Sequence, residues 1–244
     1  MSKIDAVSRG FIDRAPDPAR YGGQTADPDE SAGIVLSFVA PASRVLDVGC
    51  GIGSVSELLV KHKSVELIGL EPDADRAAMA RQLNLNVIND FFTESVVRDL
   101  GMFDVVLFGD VLEHLVDPVA FMDLAKTVLK PGGVVIFSVP NVAHWTVRLS
   151  LLRGRFNYHA AGIMDATHLR WFTLKVCRDF CRRAGYEVLH HKVSAGSMMI
   201  EYQSTRPWRW MWMFPRERMV RRFARWWPTL FGLQHIIVAR PKQC

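Results

Sequence analysis

The stretch Val45-Leu-Asp-Val-Gly-Cys-Gly-Ile-Gly53 limits what this chain of 244 residues can fold into more than any other. From Arg44 to Val48, aliphatic and β-branched residues crowd a run too short for a helix and are closed off by glycine, which predicts a buried strand. Ser54 to His62 puts Val55, Leu58 and Leu59 on one stripe, the spacing of a helix. Strand, glycine turn and helix follow one another. Gly49, Gly51 and Gly53 let the backbone turn sharply and approach a ligand closely, and the N–H groups opening the helix suit an anion. A phosphate-cradling loop would need Gly-Lys-Ser/Thr, yet the next lysine is Lys61. The dinucleotide fingerprint would need glycine at 54, which is Ser54. Asp47 at the strand's end would repel a pyrophosphate but can hold a cationic amino-acid head or order water beside it.

Val65 to Leu70 predicts a second apolar strand. It ends in Glu71-Pro72-Asp73, about twenty residues past the glycines, where a carboxylate can accept both hydroxyls of a ribose. Glu71 is the expected clamp, with Pro72 beside it. These residues resemble the class I S-adenosylmethionine-dependent methyltransferases. VLDVGCGIG, IGLEPD, FDVVLFGDVLEHLVDP at 103–118 and LKPGGVVIFSVPN at 129–141 carry the resemblance, in that order.

The resemblance implies an α/β fold: a doubly wound, seven-stranded, mostly parallel sheet of order 3-2-1-4-5-7-6 with helical cover insertions. S-adenosylmethionine would be the methyl donor and S-adenosylhomocysteine the product. Asp90 would accept the adenine amino group while the backbone of Phe91 meets a ring nitrogen. Gly109 and Asp110 would lie at the carboxyl edge of the sheet, and Tyr21 would close as a lid over the methionine end.

The remaining strands are read as Leu85–Ile88, Phe103–Phe108, Val134–Val139, Tyr186–Val193 and an antiparallel Leu233–Ala239. Helices are expected over 31–40, 73–82, 93–100, from the Asp117-Pro118 cap to about Lys130, and 173–184. Residues 1–30 form a polar arm or lid, and 31–244 the methyltransferase domain. Connections at a sheet edge are usually 2–6 residues, so the long excursion 140–172, rich in His, Arg and aromatic residues, is read as a substrate cover.

Charge is unevenly placed along the chain. Residues 205–244 carry Arg206, Arg209, Arg216, Arg218, Arg221, Arg222, Arg225, Arg240 and Lys242 against Glu217, together with Trp208, Trp210, Trp212, Trp226 and Trp227. Within the basic-aromatic insertion 195–230, the segment 206–227 suits an anionic membrane surface. A helix capping the cleft, or a homodimer contact, explains the pattern equally well. Nucleic acid is disfavoured, since aromatic residues on one helical stripe suit a core or bilayer better than splayed bases. Without an apolar leader or a run of eighteen apolar residues, the expected location is cytoplasmic, at most peripheral to the inner face of a membrane.

Methyl transfer from a sulfonium is an in-line displacement that depends on alignment, and a hydroxyl acceptor must also lose a proton. His144 is the first candidate base, followed by His168 with Asp165 three residues away, and His114. Asp110, Glu113 and His114 resemble the divalent-metal stretch of ubiquinone-pathway O-methyltransferases, with Asp110 standing where those have Glu; metal is not the favoured reading. Residues 141–173 also resemble methyltransferases that tailor polysaccharides and lipid-linked glycans. The leading expectation is therefore O-methylation of a sugar or lipid-linked glycan hydroxyl. The alternatives are a quinone precursor or other small aromatic hydroxyl, and a non-catalytic partner that binds the cofactor and regulates another enzyme.

Overall fold

The computed structural model describes residues 22–196 and 216–242. The elements run α1 (Ser31–Phe38), β1 (Arg44–Val48), α2 (Ser54–Lys63), β2 (Glu66–Leu70), α3 (Ala74–Gln82), β3 (Val87–Ile88), α4 (Glu94–Val97) and β4 (Phe103–Gly109). A 3₁₀ turn, Leu112–His114, precedes α5 (Pro118–Val128), β5 (Leu129–Pro140), α6 (Trp145–Leu152), α7 (Leu174–Arg183) and β6 (Tyr186–Val193). After the undescribed stretch come α8 (Arg216–Trp226), α9 (Pro228–Phe231) and β7 (Gln234–Pro241).

The strands form one seven-stranded sheet of order β3-β2-β1-β4-β5-β7-β6. β7 is antiparallel to both β5 and β6, and the other pairs are parallel. This is the doubly wound sheet expected from the sequence. Alternate residues of each strand feed two apolar layers, as the two-residue period of a strand requires. Leu46, Val106, Phe108, Phe137 and Ile237 face α5 and α7 through Met122, Ala125, Cys177 and Phe180. Val45, Leu67, Val105, Ile136 and Val238 share the opposite layer with Ile34, Val35 and Leu59 of α1 and α2. Cys177 and Cys181 are buried free thiols.

Several boundaries differ from the sequence reading. β3 shrinks to two residues, and α4 to Glu94–Val97. α5 stops at Val128 because Leu129 already pairs with Phe103, so Pro131-Gly132-Gly133 lies inside an irregular β5. The excursion 140–172 contains a helix, α6, capped by His144.

The described part of the N-terminal arm is tied to the body. Asp27 and Asp29 pair with Arg221 of α8, Asp29 also with Arg225, and the Asp29 carbonyl accepts from Ala195 N–H. α8 therefore spends its apolar stripe on the protein itself: Val220 and Ala224 are buried against Ala195, Trp145 and Phe231. Trp226 and Trp227 stay more than half exposed, at 57% and 53%. Tyr21, and residues 206–215 of the basic-aromatic segment, lie outside the described residues. Among the described residues, no helix is long and apolar enough to cross a membrane.

Candidate active site

A cavity of about 360 Å³ opens over the carboxyl ends of β1, β2 and β4, the edge where open α/β sheets bind their ligands. Its floor is the glycine turn. Gly53 has φ +84°, and a Cβ there would come within 2.5 Å of Leu85 Cδ1, so glycine is obligatory. Gly51, at φ +57°, is different: a Cβ would meet nothing within 4 Å. That open side, lined by Gly49, Gly51 and Glu71, is where ligand atoms can approach the backbone.

Glu71 is buried at the end of β2. Its Oε2 accepts the Gly51 amide at 2.8 Å and its Oε1 the Asp73 amide at 3.0 Å. An ionised carboxylate has lone pairs left for two hydroxyls, so the ribose role suits the geometry. Pro72 lines the cavity next to it, and Asn89 Nδ2 holds the carbonyls of Glu71 and Pro72.

Asp47 does not line the cavity. It lies beneath the turn, taking a 2.5 Å hydrogen bond from Ser56 Oγ, and burial raises its carboxyl to about 6 despite that bond. It locks β1 to α2 rather than facing a ligand. Asp90 and Phe91 are also outside the lining. Both are exposed, and the Asp90 carboxylate accepts the Phe91 amide at 2.7 Å. β3 ends level with β2, Leu70 opposite Ile88, so Asp90 follows the strand next to the one that carries Glu71.

Gly109 and Asp110 do reach the cavity wall. Asp110 adopts a left-handed φ of +54°. Its Oδ1 accepts Ser138 Oγ at 3.0 Å, and both oxygens lie 2.8 Å from Gln234 Nε2. Burial raises its carboxyl, opposed by these hydrogen bonds.

His114 lines the cavity with its Nδ1 3.2 Å from the Thr167 carbonyl. A carbonyl only accepts, so Nδ1 carries the proton and the lone pair is on Nε2. His168 repeats the arrangement, with Nδ1 3.1 Å from the Ile163 carbonyl. The two imidazoles touch edge to face at 4.9 Å. Behind them Glu113 is buried with no hydrogen-bond partner on either carboxylate oxygen. Burial, then the negative Asp110, pushes its carboxyl well up.

Glu113, His114 and His168 each offer one ligand atom, all within 4.8 Å of one another. Two imidazoles whose other nitrogen is held by a carbonyl, plus an orphaned carboxylate, suit a divalent cation. The trio read from sequence, Asp110 with Glu113 and His114, is corrected: Asp110 is turned to Ser138 and Gln234, and His168 completes the group. Asp165 is buried and accepts Thr167 N–H and Oγ–H at 2.8 and 2.7 Å, which shapes the loop carrying His168.

His144 is not at the cavity. It is fully buried, Nδ1 lies 2.9 Å from Thr146 Oγ1, the ring also bonds the Phe231 backbone, and burial lowers it to about 4. It pins α6 to α9. Gln234, Ser138, Thr167 and Arg76 are site residues that motif reading did not single out. Only the placement of Gln234 at the start of the antiparallel strand gave any signal.

Fold and cavity together define a doubly wound α/β protein with a ligand cavity at the end of its parallel strands. The chain belongs to the methyltransferase-domain family, whose family model matches residues 9–191. Its fold is that of S-adenosylmethionine-dependent methyltransferases. Over 117 residues it is 38% identical to the ubiquinone biosynthesis O-methyltransferase of Xanthomonas campestris pv. campestris, covering 43% of this chain and 48% of that one. The enzyme of the same name from Cronobacter sakazakii is 35% identical over 104 residues, covering 40% and 42%. The chain thus matches about half the length of these curated relatives. Among solved structures, a SAM-dependent methyltransferase from Archaeoglobus fulgidus has TM-score 0.57 at 18% identity, covering 98% of this chain and 99% of that one. The CcbJ methyltransferase from Streptomyces caelestis has TM-score 0.58 at 17% identity and 96% coverage of both. At these identities the likeness is one of fold.

Proposed function

We propose that the acceptor is a hydroxyl of a small phenol of the quinone-precursor type, methylated on oxygen. The observation that carries this reading is His114, which lines the donor cavity with Nδ1 toward the Thr167 carbonyl and its ring against the buried imidazole of His168. When bound, S-adenosylmethionine supplies an electrophilic methyl group on a cationic sulfur. Glu71 holds the ribose, and the acidic wall of Glu71 and Asp110 favours a cationic ligand over its neutral product.

His114 takes the proton from the acceptor hydroxyl. A phenol ionises near ~10, so an imidazole near ~6.5 faces a gap of roughly 3–4 units. An aliphatic hydroxyl, close to water at ~15.7, would leave a gap of roughly 9. A lone imidazole therefore serves a phenol far better than the sugar hydroxyl expected from the sequence. The name printed for the curated relatives supports the same acceptor class. A divalent cation held by Glu113, His114 and His168 would take the Nε2 lone pairs and so replace the imidazole base, acting instead by lowering the hydroxyl's own pKa.

Incubation with labelled donor and a panel of catechols, prenylated phenols and nucleotide sugars tests the reading, with and without EDTA. Label is expected in phenols. Label confined to sugars overturns the proposal, and turnover that survives EDTA removes the cation from it.

A further inference from the structure

A second cavity, of about 540 Å³, lies within the excursion that follows β5. Val147, Leu151, Phe156, Ile163, Met164 and Leu233 supply its apolar lining. Its size is that of a small-molecule site, and two chains of contacts connect its lining to residues of the donor site. Leu233 is followed by Gln234, whose amide holds Asp110. The Ile163 carbonyl holds His168, which stacks on His114.

The surface around its mouth has an unusual composition. Residues 145–164 contain no Asp or Glu, but they contain Arg148, Arg153, Arg155 and His159. On the same segment Leu152 is 84% exposed, Leu151 48%, Phe156 47% and Tyr158 46%. Arg148 and Arg153 donate to the backbone carbonyls of Ala143 and Leu149, which leaves their charge unneutralised. Among the described residues, no ion pair engages these three arginines. Clustered exposed apolar side chains on a soluble surface mark an interaction site, and arginines interleaved with them match anionic headgroups over an apolar interior. α8 is the weaker candidate, because its apolar stripe is already buried and Arg221 and Arg225 are paired with Asp27 and Asp29.

We infer that the face formed by residues 145–164 docks on an anionic lipid bilayer, and that the second cavity takes the apolar chain of a lipid-like acceptor drawn from it. The inference rests on the phenolic reading above, since the acceptor's hydroxyl end would then lie toward His114 and His168.

The test is co-flotation of the full chain with phosphatidylcholine vesicles and with phosphatidylcholine–phosphatidylglycerol vesicles, and uptake of cis-parinaric acid, a polyene whose fluorescence rises in an apolar cavity. Wild-type protein is expected to float with the anionic vesicles only, and to release with salt. R153E is expected to weaken flotation by about fivefold or more, and L152E to weaken it further; both sites are exposed, and unchanged melting temperatures check the fold. A161W, at the exposed mouth of the cavity, should weaken parinaric acid uptake about tenfold. Equal flotation with both vesicle types, or variants that float like wild type, overturns the docking face. Uptake undiminished in A161W overturns the cavity. Neither readout needs turnover, so lipid binding without methylation of any phenol would sink the acceptor reading and not this one.

Discussion

Gln234 Nε2 stands 2.8 Å from both carboxylate oxygens of Asp110, tying the start of β7 to the residue that follows β4. The contact spans the wall of the donor cavity and restrains a left-handed aspartate whose carboxyl burial already penalises. Replacing the amide with an apolar group, Q234L, leaves Asp110 only its Ser138 partners. We expect a loss of about 1–3 kcal/mol in stability with weaker donor binding, read by thermal melting and calorimetry.

Glu71 lines the donor cavity while Asp90, after the neighbouring strand, stands outside its lining, although the sequence treats them as one grip. E71Q removes the charge that accepts the Gly51 and Asp73 amides and faces the donor. Charge-assisted bonds of this kind contribute about 1.5–3 kcal/mol, so donor Kd should rise roughly 10-fold to 100-fold. D90N, on an exposed residue outside the cavity, should leave it within about twofold. A large effect of D90N would restore the adenine role.

The three histidines considered as bases should behave differently. H114A is expected to lower kcat by about 10²–10⁴ with little change in melting temperature. H144A should do the reverse: lower stability, because a fully buried ring bonded at both ends is lost, with kcat per folded molecule retained. Loss of kcat in a folded H144A would return His144 to the mechanism.

Acid should unfold the protein earlier than its carboxylates alone would dictate. His144 is lowered to about 4 by burial, and burial lowers the contacting pair His191 and His235 together. Unfolded histidine titrates near ~6.5, so between that value and the folded pKa the unfolded chain binds more protons. The stabilisation is complete above ~6.5 and is lost as pH falls toward 4, by about 3 kcal/mol for His144. Asp47, raised to about 6, and the raised carboxyls of Asp110 and Glu113 have the opposite sign and remove stability as pH rises. The histidine part is therefore read by difference: between pH 7 and 4, denaturant midpoints should fall more in the wild type than in H144A. Equal changes in the two would mean that the His144 ring is not desolvated.

The strands were readable because a parallel sheet covered on both faces demands continuous apolar runs, such as Val105–Phe108 and Val134–Phe137, that few other structures need. The donor floor was readable for a similar reason: a turn whose residues 49, 51 and 53 all take positive φ favours glycine at each, which leaves a local mark. The base cluster left no such mark. Glu113 and His114 sit on one turn and His168 more than fifty residues later, and only the loop fixed by Asp165 and Thr167 brings them together. His144 misled because a capping, buried histidine and a catalytic one look identical in sequence. Asp90 follows a strand that ends at Ile88 as the sequence placed it, and its carboxylate accepts the Phe91 amide outside the cavity lining.

The order β5-β7-β6 also has a consequence for biosynthesis. Among the described residues β6 has no neighbour in the sheet except β7, which the ribosome makes roughly forty residues later, several seconds at ordinary elongation rates. Throughout that interval the freshly made edge hairpin partner is missing, and the α7–β6 unit can only wait, its ladder groups open to other chains. Nascent protein stalled between these two strands would thus be the form most dependent on chaperones.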